Sequence, residues 1–297
     1  MEKHTMSNSD QTPRTIEKVH RARRQDMQGL KTYRALPTDS LDQIDPFLLL
    51  NHHGPEEYPA DNDGLPFEPH PHRGMQTVTF IVDGDIVHQD NAGFKDRIDK
   101  GGVQWMVAGS GLLHSEVSSE EFERDGGKLE ILQLWINLPK ADKDVDPAYF
   151  GYQDNDLPVA TTDDGRVNIK IVAGSFGEHT SPMDPLTDVE MYWLDFDEQS
   201  RFDTNVDPSK NIFLYVVQGN ITVNGRDVET RHLVEFGHYG DAVSISAEMP
   251  SLVLFGHATP YDEPVVSRGP FVMNTVGEIK QAYADLRAGK FGRWDAD

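Results

Sequence analysis

The apolar positions of the chain fall in short runs that end at turn residues, and this pattern predicts strands over most of its length. Gln76–Val82 (QTVTFIV) is rich in β-branched residues and stops at Asp83-Gly84, a pair that favours a hairpin turn. Similar runs cover Gln104–Ala108, Leu129–Leu138, Val167–Val172, Met191–Phe196, Ile212–Gln218, Ile221–Val223, Ala242–Ser246 and Ser251–Phe255. Strands this short, with turns at regular intervals, predict a barrel or sandwich. FIVDGDIVHQ (80–89) and YVVQGNITVN (215–224) both run strand, glycine turn, strand, which hints at an internal duplication. Polar Pro139–Asp164 is the candidate linker. One segment has helical spacing instead. Thr275 and Glu278 stand at capping-box separation, and Ile279, Ala282, Tyr283 and Leu286 form a single apolar stripe before Gly289. This predicts a terminal helix packed on the second half.

Composition narrows the picture. A length of 297 residues favours two domains, and 37% hydrophobic residues suffice for real cores. There is no cysteine, which excludes disulfides, thiolate metal sites and cysteine nucleophiles. Any transition metal must then be held by histidine and carboxylate. The formal charge of −23 makes a surface that repels phosphate backbones, so nucleic acid is not expected as a direct partner. The basic run His20-Arg21-Ala22-Arg23-Arg24 reads as a solvated strand edge or a contact to the acidic remainder. No apolar run is long enough to span a membrane. Residues 1–14 are polar and lack the apolar stretch of a signal peptide, so a flexible tail and a cytoplasmic protein are expected.

Of the 12 histidines, one pair has His-x-His spacing: His70 and His72, in Pro69-His70-Pro71-His72-Arg73-Gly74. In extended chain, residues i and i+2 share a face, so both imidazoles can reach one ion. The flanking prolines favour that extended geometry. A polar loop with solvated histidines would carry the same motif, but His114-Ser115-Glu116 repeats the spacing with a carboxylate in second place. Three imidazoles and one carboxylate leave open positions on a six-coordinate ion. Such donors suit Fe(II), Mn, Ni, Co or Zn without choosing among them. A closed structural zinc site is the alternative, although those usually contain cysteine.

These residues belong to longer patterns. PHPHRGMQTVTFIVDG, GGVQWMVAGSGLLHSE and LQLWINLP, with FLLLNHHGP before them and GPFVMNT…GKFG at the end, resemble successive pirin signatures over about residues 15 to 293. The resemblance implies an all-β bicupin: two antiparallel cupin β-barrels with a short C-terminal helix. The expected division is 1–14 tail, 15–145 metal-binding barrel and 146–297 barrel without metal, serving as lid and scaffold. It implies one divalent metal ion on His70, His72, His114 and Glu116, iron(II) first, with Mn, Ni, Co, Zn or Cu also suitable. The implied activity is quercetin 2,3-dioxygenase-like cleavage of a flavonol or other enolic substrate by O2, with Glu116 as catalytic base. The alternative is a non-catalytic, redox-sensing regulator that acts through a protein partner. Position 76 departs from the pattern, with Gln where the family commonly has Glu, which puts a charge around the site in doubt but not the ligands.

Other positions carry weaker expectations. His52 and His53 read as turn residues with a possible approach to the site mouth, and His88 and Asp90 are ambiguous. Arg73 reads as a structural ion pair. Trp105, Met106 and Trp135 read as core, with Met106 a candidate for the pocket wall, as is Leu112 or Leu113. His232, His238 and His257 are isolated and read as surface or internally satisfied histidines.

Overall fold

Alternation of side chains across the strands sorts the chain into two large and two small antiparallel sheets, with two two-stranded ribbons besides, in a computed structural model that describes residues 12–294. In the first half, the seven-stranded sheet runs Ala148–Tyr152, Val103–Val107, Met75–Asp83, Gly127–Asn137, Phe47–Tyr58, Thr32–Leu36 and Arg23–Arg24. Facing it is a four-stranded sheet of Phe67–His72, Leu112–Val117, Asp85–Asp90 and Lys95–Asp99. The second half repeats the plan around Asn211–Gln218, Ser251–Ala258 and Glu190–Phe196, with a small sheet containing Asn220–Val223. The duplication hinted at by the sequence is real at the level of topology. Met75–Asp83 leaves the first large sheet through Gly84 (φ 85°) into the small-sheet strand Asp85–Asp90. Asn211–Gln218 does the same through Gly219 (φ 79°) into Asn220–Val223.

The two large sheets meet through their outer faces. Phe47, Phe80, Trp105 and Leu134 of the first pack with Phe213, Tyr215, Leu254 and Met191 of the second in one buried cluster. Phe47 and Phe213 lie 5.1 Å apart between ring centroids, and Phe80 stacks on Trp193 at 5.4 Å. Such aromatic pairs add about 0.5–1.5 kcal/mol each beyond the area they bury. Period two explains the sorting: Trp105 points to this core, whereas its neighbour Gln104 points into the first half. Gln76 belongs to the outer set as well. It accepts a hydrogen bond from Trp105 Nε1 at 2.9 Å.

One strand near the start of the chain and one near its middle exchange halves. Ile16–Arg21 pairs with His232–Phe236 in the second large sheet, and Ala148–Tyr152 pairs with Val103–Val107 in the first. Sheet membership therefore does not follow the expected division at 145/146. The candidate linker 139–164 is ordered as two strands and two 3₁₀ turns, because its polar residues alternate with Tyr149, Leu157 and Ala160, which are buried. Of the expected tail 1–14, residues 1–11 lie outside the described residues. Arg14 is buried and donates to the carbonyl oxygens of Lys210 and Gly237. In the basic run, His20 meets Glu235 at 2.6 Å, Arg24 meets Asp26 at 2.8 Å, and Arg23 pairs with Asp39.

The predicted helix is Val276–Arg287, and Thr275 and Glu278 form the expected capping box. Its packing joins both halves. The apolar stripe packs on Phe271, Met273 and Phe291 of the second half, and Asp285 pairs with Arg73 at 2.8 Å, which ties the helix to the first half. Arg73 is thus structural, as its sequence suggested. Gly74, at φ 75°, lets Val272 approach: a Cβ there would lie 2.1 Å from the Val272 oxygen. The buried ammonium of Lys143 ties this junction, donating to Gly74 O (2.8 Å), Asn137 Oδ1 (2.7 Å) and Val272 O (3.1 Å). Lys143→Met leaves three buried acceptors without that donor, and we expect a loss of about 2–5 kcal/mol. Urea denaturation with the slope m checked for constancy measures it.

Candidate metal centre

Two adjacent strands of the first small sheet place the three histidines. In the antiparallel ladder His114 lies opposite His70, and Leu112 lies opposite His72. His72 follows His70 by two positions, so all three imidazoles emerge on one face. Their ring centroids are 4.4 Å (His70–His114), 5.0 Å (His72–His114) and 5.0 Å (His70–His72) apart. One ring nitrogen of each lies within 4.8 Å of those of the other two.

Hydrogen bonding fixes which nitrogens are free. His70 Nδ1 lies 2.8 Å from Glu68 O, and His72 Nδ1 lies 3.2 Å from Pro270 O, which leaves both Nε2 atoms for the centre of the cluster. His114 is fully buried, and neither of its ring nitrogens has a hydrogen-bond partner among the described residues. An unpaired buried imidazole is unfavourable, and a bound cation removes that cost. Burial, reinforced by the neighbouring imidazoles, holds His114 well below the ordinary histidine range. Burial also lowers His72 to about 3. Neutral imidazoles are the form that binds metal, so this donor set fits a divalent ion.

Glu116 sits on the same strand but outside this group of mutually close ligand atoms. A register shift between His114 and Glu116 brings Glu116 opposite Phe67. Its carboxylate faces the large sheet. Gln133 Nε2 donates to it at 2.8 Å and Thr79 Oγ1 at 3.3 Å, and Gln104 Nε2 donates as well. Gln104, Thr79 and Gln133 occupy facing positions on three neighbouring strands, which explains how they converge on one group. Sequence reasoning missed all three. The available signal was a lone amide inside an apolar strand, in QWMVA and LQLWIN.

His88 and Asp90 stand across the ladder from Glu116 and His114. His88 stacks on Tyr149 at 4.1 Å, meets Asp90 at 3.2 Å and closes the back of the site behind His114. Asp90 also accepts from the amides of Ala92 and Phe94, which makes it a turn brace. His52 and His53 are not turn residues; both are buried in Phe47–Tyr58. His52 bridges Tyr215 Oη (3.0 Å) and Glu130 Oε1 (2.9 Å) in the core between the large sheets, and His53 meets Thr32.

The cluster opens into a cavity of about 830 Å³ that His70, His72 and Glu116 border. Leu48, Leu49 and Trp135 form its apolar wall, and Pro270 of the C-terminal segment contributes from the other end of the chain. Trp135 is half-buried and edges onto His72 at 5.3 Å, so it is a wall residue and not core. Met106, Leu112 and Leu113 do not border the cavity; Met106 and Leu112 pack with Tyr149 behind the site. In the second half, His232 and His238 meet backbone carbonyls, and His257 packs on Tyr192 and Phe255.

Burial lowers the pKa of His53 to about 3, as it does that of His72, so both are neutral in the fold. The unfolded chain takes up protons on them below about pH 6.5. It therefore binds more protons than the native state, and stability falls with decreasing pH between about 6.5 and about 3. For the metal-free protein the expected slope is about 1.4 kcal/mol per pH unit for each of these two histidines. Urea titrations at pH 7.5 and 5.5 should show the decline, and His53→Asn should make it shallower.

The paired sheets and the histidine cluster define a protein with two cupin domains, the first carrying a site suited to one metal ion. The chain belongs to the pirin family. The family model for pirin matches residues 29–136, and that for the pirin C-terminal cupin domain matches residues 191–292. A pirin-like protein of Solanum lycopersicum is 37% identical over 97% of this chain and 96% of its own length. The crystal structure of quercetin 2,3-dioxygenase from Acinetobacter baumannii superimposes with a TM-score of 0.89, at 29% identity, covering 95% of this chain and 99% of that one. A bacterial pirin from Escherichia coli, solved in complex with nickel(II), matches at TM-score 0.65 and 21% identity, over 82% and 99% of the two chains.

Proposed function

We propose that this pirin is a metal-dependent dioxygenase that cleaves a flavonol such as quercetin, with the metal on His70, His72 and His114 and with Glu116 beside it. The observation that carries this reading is the connection between the histidine cluster and the cavity of about 830 Å³. A sensor needs only a buried ion with water, whereas a three-ring substrate needs a cavity of this size with an apolar wall. The likeness to a quercetin 2,3-dioxygenase over nearly the whole chain supports it.

Trp135, Leu48 and Leu49 would hold the planar rings and exclude water, with the 3-hydroxyl directed at the cluster. Glu116, oriented by Gln133, Thr79 and Gln104, would take the hydroxyl proton, either from its present position or after a side-chain rotation that also makes it the fourth ligand. The chemistry a divalent metal supplies when bound is stabilisation of the resulting anion and its coupling to dioxygen. Iron(II) is our first choice of metal. The second domain would act as lid and scaffold, through Pro270 and the segment around it. Anaerobic titration of quercetin into the metal-loaded protein tests the binding step. The flavonol absorption band should shift to the red as the hydroxyl ionises, and a chelator should reverse the shift. No shift at saturating metal would count against this reading.

A further inference from the structure

A row of polar side chains crosses the inner face of the first large sheet. Arg34 pairs with Asn51, Asn51 with Gln133, Gln133 with Thr79 and Thr79 with Gln104 on successive strands. The last three hold Glu116, as described above. At the other end, Arg34 Nε donates to Asn51 Oδ1 at 3.0 Å, and Arg34 borders the same cavity as the histidines. Neighbouring strands lie about 4.8 Å apart, so Arg34 sits about 10 Å along the row from Gln133. That distance is comparable with the length of a planar three-ring molecule.

Arg34 lacks a charged partner among the described residues. In a chain of net charge −23, this half-buried guanidinium forms no ion pair among the described residues. Burial lowers its pKa, and no carboxylate opposes that effect, whereas Arg24, Arg97 and Arg124 are all raised by acidic partners. The carboxylates at the cavity rim, Asp42 and Glu68, are exposed and do not pair with it. Nε is satisfied by Asn51, which fixes the plane of the group and leaves the two terminal nitrogens as donors. A planar pair of donors of this kind matches a carboxylate.

We propose that Arg34 determines the specificity of the metal cavity, and that the preferred substrate carries a carboxylate at the end remote from its metal-binding hydroxyl. The inference rests on the dioxygenase reading for the term substrate, but the anion site stands on the geometry of Arg34 and Asn51. Calorimetric titration of the metal-loaded protein under anaerobic conditions separates the two. The probes are a flavonol and the same flavonol bearing a carboxylate on its pendant ring. Wild type should bind the carboxylated probe at least ~10-fold more tightly, the scale of a charge-assisted pair in a partly desolvated site. Arg34→Gln should abolish the preference by weakening the carboxylated probe at least ~10-fold more than the neutral one, and Arg34→Lys should restore part of it. Added salt should weaken only the carboxylated probe. Equal affinities in the wild type, or an unchanged preference in Arg34→Gln of unaltered melting temperature, would overturn the proposal. Oxygen uptake by the same protein in air is measured alongside: a retained preference in the titration without oxygen consumption on either probe would remove the dioxygenase reading and leave the anion site. Turnover of both probes with equal affinities would do the reverse.

Discussion

Replacing His70 or His114 by alanine should abolish stoichiometric metal. The three imidazoles converge from two paired strands, and each supplies a nitrogen that no other group among the described residues engages. Outer-sphere partners of a metal ligand commonly contribute 10- to 100-fold to affinity, so loss of an imidazole that binds the ion itself should lower affinity by at least about 100-fold. His70 lies partly exposed at the cavity, and its replacement should spare the fold. His114 is buried without partners, so His114→Ala removes an unpaired polar group and should be tolerated by the metal-free protein. Replacement of His232, His238 or His257 should leave metal content unchanged. Elemental analysis after anaerobic loading and gel filtration reads the result. Metal retained one-to-one by the His70→Ala, His114→Ala double variant would move the site elsewhere.

Glu116→Gln should lower turnover by at least about 100-fold while the metal remains, more weakly bound. The substitution keeps a carbonyl oxygen for Gln104 or Gln133 but turns an amide donor toward the others. It removes the negative charge and the proton acceptor together. Loss of a general base costs typically 10²–10⁴-fold, and the fall should appear in kcat more than in KM. Comparable turnover per bound metal in this variant would exclude Glu116 as the base.

The parts of this site that depend on local spacing were legible in the sequence. His-Pro-His and His-Ser-Glu announce their shared face because a strand has a period of two residues. The strands around them follow from β-branched runs and glycine turns. What was not legible depends on pairings between distant strands. Trp135 alternates with its neighbours like any core residue, and only the ladder shows that its face meets the cavity. Arg34 and Asn51 are 17 residues apart, and neither belongs to a motif. Pro270 reaches His72 across 198 positions. The terminal helix was predictable from its capping box and stripe, but a stripe states that a face is buried and not what covers it. The same holds for His52, whose partners Glu130 and Tyr215 lie on other strands, one of them in the other half.

The central claim is that the histidine cluster and its cavity support oxidative cleavage of a flavonol. The direct measurement is simultaneous oxygen uptake and carbon monoxide release by the iron(II)-loaded protein with quercetin. We expect one O2 consumed and one CO released per flavonol, with both lost on chelation and restored by metal. Stoichiometric metal, bound at His70, His72 and His114, with no oxygen uptake across a panel of flavonols and related enols would contradict the account.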